Sequence, residues 1–451
     1  MELKKVLTLR TVVATSAGLT LSSSTFVAAV QVAGFLAGES AWLAILTGGL
    51  LCITAAFCFN ELNGMMPTAA GIRLYFSRAF NDRLALIVSL LYMAVIIGVI
   101  GAESYVLSEI LHEAFPVLPS MFWIMAMFTL VTGMNLIGIK IAGGFQDAIT
   151  YGLIVSLIVL ALVALNQINF HINAPFNTGG GLNFLNAVAV GVFLFVGFEW
   201  VTPLAEEVTH SRLISRGMLL AIGILSVTYA LFTVAMTATV PKDVLVNSPI
   251  PHLIFARTIL GNSGVAIMVL ITLAASITTF NAGLISVSRF VYASARENVL
   301  PAMFSKISMR FFTPWVAIIS VFITGVIVSS IVLITKRYLT LVNMAAAMES
   351  IIYVLAGVSV ITLRKKLPGM QRPYQIPGGY WIPGICAAVF SLLTLAIFFS
   401  FPSVFIYLCI GAFISVIYVN QVVPELKRRS RAKKSANRRR RPVAQAEKAG
   451  E

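Results

Sequence analysis

Acidic side chains are scarce in this chain. Asp and Glu number 17 in 451 residues, against 32 Lys and Arg, and all charged types together make up 11%. Set beside 59% hydrophobic residues, that shortage of charge excludes a soluble globular protein. Histidine is equally rare: His112, His171, His210 and His252 are the only four, and none is paired at ligand spacing, which argues against a metal-dependent membrane enzyme. Cys52, Cys58, Cys386 and Cys409 fall in or beside apolar stretches without metal-ligand spacing, so neither a disulfide nor a metal site is implied. No Gly-rich loop ending in Lys-Ser/Thr is present, which disfavours ATP-driven pumping. A channel is disfavoured for want of a filter-like motif. Neither a catalytic residue nor a cofactor is expected.

What the chain has in abundance is long apolar runs. Twelve stretches, near residues 11–35, 41–62, 84–112, 119–139, 143–167, 187–207, 213–240, 263–293, 314–335, 339–363, 381–400 and 403–423, are each long enough to cross a hydrocarbon core of ~30 Å as a helix. An all-α polytopic membrane protein of about twelve segments is the economical reading. Lys4, Lys5 and Arg10 before the first run resemble a signal peptide, but its length and central hydroxyl residues argue that it is retained.

The basic residues set the orientation. With the N-terminus inside, 28 Lys and Arg fall on inner segments and only Lys242, Arg257, Lys336 and Arg337 on outer ones, so both termini are expected in the cytoplasm of a cell-membrane protein. The tail, residues 424–451, carries Arg438 to Arg441. Beside a final membrane helix such a run anchors topology or touches anionic lipid headgroups rather than nucleic acid.

Two runs are interrupted. In the first, Gly18-Leu19-Thr20-Leu21 leads into Ser22-Ser23-Ser24-Thr25 midway along a charge-free stretch. In the sixth, Gly197-Phe198-Glu199 puts a glycine and a carboxylate where the bilayer midplane should lie. Matched breaks in two halves of a polytopic chain point to a transporter's substrate site.

Several short motifs then carry a family resemblance. They are Glu61-Leu62 with Pro67-Thr68-Ala69-Ala70-Gly71, Asn135-Leu136-Ile137-Gly138-Ile139-Lys140, Leu204-Ala205-Glu206-Glu207-Val208, Ser288-Arg289 through Arg296-Glu297, Thr313-Pro314-Trp315, and Leu363-Arg364-Lys365-Lys366 with Arg372-Pro373-Tyr374. Spread in order from residue 10 to about 385, they resemble the amino acid–polyamine–organocation transporter superfamily. The resemblance implies a five-plus-five inverted repeat, residues 11–167 and 187–363, with discontinuous first and sixth helices and two appended helices at 381–423. It also implies secondary transport of an amino acid or related amine by alternating access.

A helix that stops in mid-membrane exposes N–H donors at one half and carbonyls at the other, which suits a zwitterion. Substrate contacts are therefore expected from Leu21, Ser22, Ser23, Ser24, Thr25, Phe193, Val196, Gly197, Phe198 and Trp200. The family's first break is usually of a Gly-Ser-Gly-Ile-Phe type. Serine at both glycine positions removes easy access to positive φ and adds hydroxyls, leaving room for an unusual ligand. Alternatively these hydroxyls bond back to helix carbonyls and merely bend it. The aromatic residues either close over a ligand or simply pack.

Glu199 is the expected proton-responsive group, since a carboxylate at the membrane centre is costly when charged and must face the bundle interior. A fixed structural hydrogen-bond network is its other reading. Glu103 and Glu349 are further intramembrane carboxylates: Glu103 either joins a proton path or faces an outer vestibule. Thr278 and Thr279 resemble the sodium site of related inverted-repeat carriers, and no lysine occurs between Gly143 and Asn166 to replace the ion. Glu206, Glu207, Arg212, Arg289 and Arg296 lie at helix ends, where at least one Glu–Arg pair is expected to act as a cytoplasmic gate. Sodium symport, substrate exchange, and a non-transporting sensor on a transporter fold stand as alternatives. Which substrate is carried, and the oligomeric state, stay open.

Overall fold

In hydrocarbon every backbone N–H and C=O must find a partner within its own segment, so apolar runs of this length fold as helices. A computed structural model describes residues 3–22, 40–171, 184, 187–188, 191–246 and 251–449. Ser23, Ser24 and Thr25 lie outside the described residues. The helices are α1 (Leu9–Thr20), α2 (Ala41–Met65), α3 (Ile72–Ala79), α4 (Asp82–Ala114), α5 (Ser120–Ile137), α6 (Ile139–Gln167), α7 (Arg212–Thr239), α8 (Lys242–Val246), α9 (Pro251–Arg296), α10 (Trp315–Thr335), α11 (Tyr338–Lys366), α12 (Trp381–Ser400) and α13 (Pro402–Ala449). Two 3-10 helices, Phe198–Glu206 and Ala302–Ser305, complete the described elements. The chain is an all-α polytopic membrane protein.

Ten of these helices are long and apolar enough to span a bilayer. Among the described residues, the two expected segments without such a helix are the interrupted ones. α1 stops at Thr20. The described part of the sixth segment gives up α-helical form at Leu194 and continues as the 3-10 helix.

Several boundaries differ from the hydropathy reading. α6 starts four residues before Gly143, because Gly138 (φ 148°) ends α5 and lets the chain turn straight into the next helix. The eighth segment begins at Pro251 rather than 263, with the axis broken at Gly261 (φ 61°). The twelfth runs on through the basic tail to Ala449. Polar residues cost a helix little once it leaves the membrane, so hydropathy ends earlier than helicity does.

Close approach at the centre depends on small residues. A Cβ on Gly48 would meet the Gly191 carbonyl carbon at 2.7 Å, and one on Gly191 would meet the Ala44 oxygen at 2.9 Å. This packs α2 directly against the sixth segment, as small residues allow between membrane helices.

Candidate functional site

The break in the sixth segment is built by Gly197. Its φ of 102° belongs to the left-handed region, and a Cβ there would stand 2.8 Å from Leu19 Cδ2 of α1. Only glycine makes this turn at this distance. Ser16 Oγ donates to the Phe198 carbonyl at 2.9 Å and Tyr229 OH donates to the Thr20 carbonyl at 3.1 Å, so the two broken segments hold each other and lean on α7.

Beside the breaks lies a small cavity of about 40 Å³. It is lined by Leu19, Thr20 and Ser22, by Phe193 and Val196, by Val99, Ala102, Glu103 and Val106 of α4, and by Tyr338, Val342 and Ala345 of α11. Both interruptions therefore meet at one space. Glu103 is 3% exposed and accepts a hydrogen bond from Ser276 Oγ at 3.0 Å, which puts this carboxylate in the cavity wall.

Not every expected contact faces that space. Phe198 stacks towards Tyr353 (centroids 5.4 Å) and Phe59, while Trp200 lies on Tyr92 (4.7 Å) and Phe290. Neither lines the cavity. The reversal at Gly197, followed by a three-residue repeat, turns them into the packing beneath it. Leu21 does not line it either; its carbonyl faces Thr279 Oγ1 at 3.2 Å.

Glu199 sits below the cavity, fully buried. Tyr353 OH donates to its Oε2 at 2.8 Å, and Tyr92 OH contacts its Oε1. The Tyr92 hydroxyl also stands 2.5 Å from Glu349 Oε2. Tyr92 is seven residues from Val99 and Glu349 four from Ala345, so the cluster lies one to two helical turns, about 6–10 Å, from the cavity wall. Neither tyrosine was singled out in the sequence. Tyr353 had a signal, lying at i+4 from Glu349 on one face of the same helix. Tyr92 had none beyond being a polar group inside an apolar run.

A second polar cluster surrounds the end of α1. Thr279 Oγ1 is 3.1, 3.2 and 3.2 Å from the carbonyls of Gly18, Leu21 and Ala275, and Thr278 Oγ1 is 3.3 and 2.9 Å from those of Gly18 and Ala275. Next to it, buried amides form a chain the sequence reading missed. Asn135 donates to Asn281, Asn281 to Gln146, and Gln146 to the Ala14 carbonyl.

Towards the end of the bundle that carries most of the Lys and Arg, ion pairs close the structure. Arg289 and Glu207 meet at 2.8 Å with both side chains buried, and Arg296 grips Glu206 with bonds of 2.8 and 2.5 Å. Ala69 N also donates to Glu206 at 3.1 Å. Arg212 is exposed and joins no ion pair among the described residues, because it opens α7 pointing away from the bundle. The segment before α1 packs at the same place: Val6 N and Leu7 N donate to the Glu207 carbonyl at 2.9 and 3.0 Å. Glu61, quoted above only as part of a motif, binds Arg364 at 2.8 and 2.5 Å and the Ile376 N–H at 2.9 Å. It ties α2 to α11.

A helical membrane bundle with a cavity between two broken segments and buried carboxylates near it is the architecture of a transporter. The comparisons give the particular family. The amino acid permease family model matches residues 7–419, and the chain belongs to that family, within the amino acid–polyamine–organocation superfamily. It is similar to the methylthioribose transporter of Bacillus subtilis (strain 168), 24% identical over 89% of this chain and 90% of the relative. It is also similar to the branched-chain amino acid permease of the same organism, 23% identical over 85% of this chain and 86% of the relative. The human Asc-type amino acid transporter 1 is 25% identical over 79% of this chain and 71% of that protein.

Proposed function

We propose that this chain is a secondary carrier that moves an amino acid or related amine across the cytoplasmic membrane by alternating access, linked to protons. The observation that carries this reading is the position of Glu199. It lies on the broken sixth segment, buried under a cavity bordered by both breaks, held by Tyr92 and Tyr353 with no Lys, Arg or His paired to it among the described residues. A carboxylate without a countercation in such a place is suited to cycling a proton. The substrate-facing set is Leu19, Thr20, Ser22, Phe193 and Val196, with Glu103 as a second acid.

In this reading the two repeats, 11–167 and 187–363, rock about the site, and the basic end is cytoplasmic, with both termini there. Arg289–Glu207 and Arg296–Glu206 form the inner gate. Arg83, Lys427, Arg428 and Arg431 border a groove between α4 and α13 that suits the basic tail to lipid headgroups.

A sodium-coupled form of the same carrier is favoured by one observation. Thr278 and Thr279 have two hydroxyl protons between them, yet three backbone carbonyls crowd their oxygens. That surplus of acceptors suits a hard monovalent cation.

The test is uptake in proteoliposomes, with pH and sodium gradients imposed separately, across branched-chain and other neutral amino acids, cystine, glutamate, amines and methylthioribose. Accumulation driven by the pH gradient is expected. If neither gradient drives accumulation, both symport readings fail and exchange or facilitation takes their place. Substrate-induced thermal stabilisation without any uptake would favour a sensor.

A further inference from the structure

We propose that Glu349 and Glu199 form one proton-sharing dyad bridged by the Tyr92 hydroxyl, so that the carrier's proton belongs to the pair and not to Glu199 alone. This deepens the proton-linked reading given above and rests on it.

Tyr92 has one hydroxyl hydrogen, and its oxygen lies within hydrogen-bond reach of two carboxyl oxygens, Glu199 Oε1 and Glu349 Oε2. If both acids were ionised, one of these contacts would set two oxygens together with no hydrogen between them, in a buried site with no cationic side chain paired to either acid among the described residues. One acid must therefore be protonated and donate to the tyrosine oxygen, while the tyrosine donates to the other.

The surroundings say which acid holds it. Glu199 receives Tyr353 OH at 2.8 Å as well as Tyr92 OH, and two donors suit an ionised carboxylate. Glu349 is fully buried too, but its Oε1 accepts no hydrogen bond among the described residues, as fits a neutral acid. The other groups facing the pair are uncharged in this setting. Cys52 of α2 is within electrostatic reach of both acids, Trp200 stacks on Tyr92, and Cys386 of α12 donates to the Tyr353 carbonyl.

Such a bridge also moves the proton. The Glu349 O–H bond breaks as its proton passes to the Tyr92 oxygen, and the original tyrosine proton passes to Glu199. The tyrosine is unchanged and the pair keeps one negative charge. The three participants ride on three elements: Glu199 on the broken segment, Tyr92 on α4, Glu349 on α11. Any motion of the 3-10 helix relative to α11 pulls the carboxyls apart and ends the sharing, which couples proton release to the conformational change without a further device.

The test is infrared titration of the carboxyl C=O stretch in the purified full chain in lipid nanodiscs. Two buried acids that interact titrate as a set, in two resolved steps. Glu199→Gln and Glu349→Gln should each leave a single step, and the upper wild-type step, which exists only because the partner acid is already ionised, should be absent from both variants, whereas Glu103→Gln should keep both. If either variant keeps a step at the upper wild-type pH, the two acids titrate independently and the dyad is overturned. If Glu349→Gln does not fold, Tyr92→Phe keeps the ring on Trp200 and removes only the hydroxyl. The C=O stretch of Glu349 and the carboxylate stretch of Glu199 should then change together, and a change in one alone overturns the proposal. Uptake blind to a pH gradient would remove the proton-linked reading whatever the infrared shows. Proton-driven uptake with independent carboxyls would remove the dyad alone.

Discussion

Arg289 Nε stands 2.8 Å from Glu207 Oε2, and the two side chains are 0% and 1% exposed. α9 and the end of the broken sixth segment are thus joined by an ion pair wholly out of solvent. Arg289 Nη1 also donates to Ser288 Oγ at 2.9 Å, and the Glu207 backbone carbonyl is taken by Val6 and Leu7 of the segment before α1.

Removing one partner of a buried pair strands the other charge and costs about 3–5 kcal/mol, whereas replacing both with apolar residues is often near neutral. Arg289→Met should therefore lower thermal stability strongly, and Arg289→Met with Glu207→Met should recover most of it. If the pair closes the inner gate, the single variant should also expose a cysteine placed at Val208 to a membrane-impermeant maleimide added on the cytoplasmic side. Unchanged labelling would remove the pair from gating.

Glu199→Gln keeps the shape of the side chain and removes its charge. Transport by this variant should lose most of its dependence on pH, as read from initial uptake rates across a pH series. Tyr353→Phe, which deletes one donor to the same carboxylate, should shift the profile while retaining uptake. A Glu199→Gln profile that follows the wild type would take this residue out of the mechanism.

Gly197→Ala forces a side chain into a left-handed conformation, at about 1–2 kcal/mol, and presses its Cβ towards Leu19 Cδ2. A lower melting temperature and reduced uptake are expected. Gly223→Ala in α7 is the control: nothing lies within 4 Å of the added carbon, and alanine there should stabilise the helix by roughly 0.5–1 kcal/mol.

Thr279→Val retains the volume and removes the hydroxyl facing Gly18 and Leu21. Leaving a buried carbonyl unserved costs about 1–3 kcal/mol, so the melting temperature should fall in sodium-free buffer. Should this oxygen cluster take sodium, the wild type will be stabilised by added sodium chloride over the potassium salt and the variant will not. Equal response of both proteins to sodium would end the sodium reading.

Much of this was legible in the sequence because lipid imposes a simple code. Length and hydropathy alone pointed to the ten long helices, and the two expected segments without one among the described residues are those with Gly18 to Thr25 and Gly197 to Glu199. The helix-end acids and arginines were visible as a set, but Glu207 with Arg289 and Glu206 with Arg296 were not, since nothing in a sequence says which arginine reaches which acid. Glu61 and Arg364, 303 positions apart, show the same gap.

The sequence by itself determined the class: an apolar, sparsely acidic chain must span the membrane as helices, and polar interruptions must face an interior. Only the tertiary structure decided the chemistry of that interior. It brought Tyr92, Glu199, Glu349 and Tyr353 from three elements to one buried point, put Thr278 and Thr279 on the carbonyls of α1, and turned Phe198 and Trp200 into packing. The physical reason is that hydropathy is a property of each residue against lipid, summed along the chain. Hydrogen bonds and ion pairs in the core are instead properties of pairs, created only when distant helices meet.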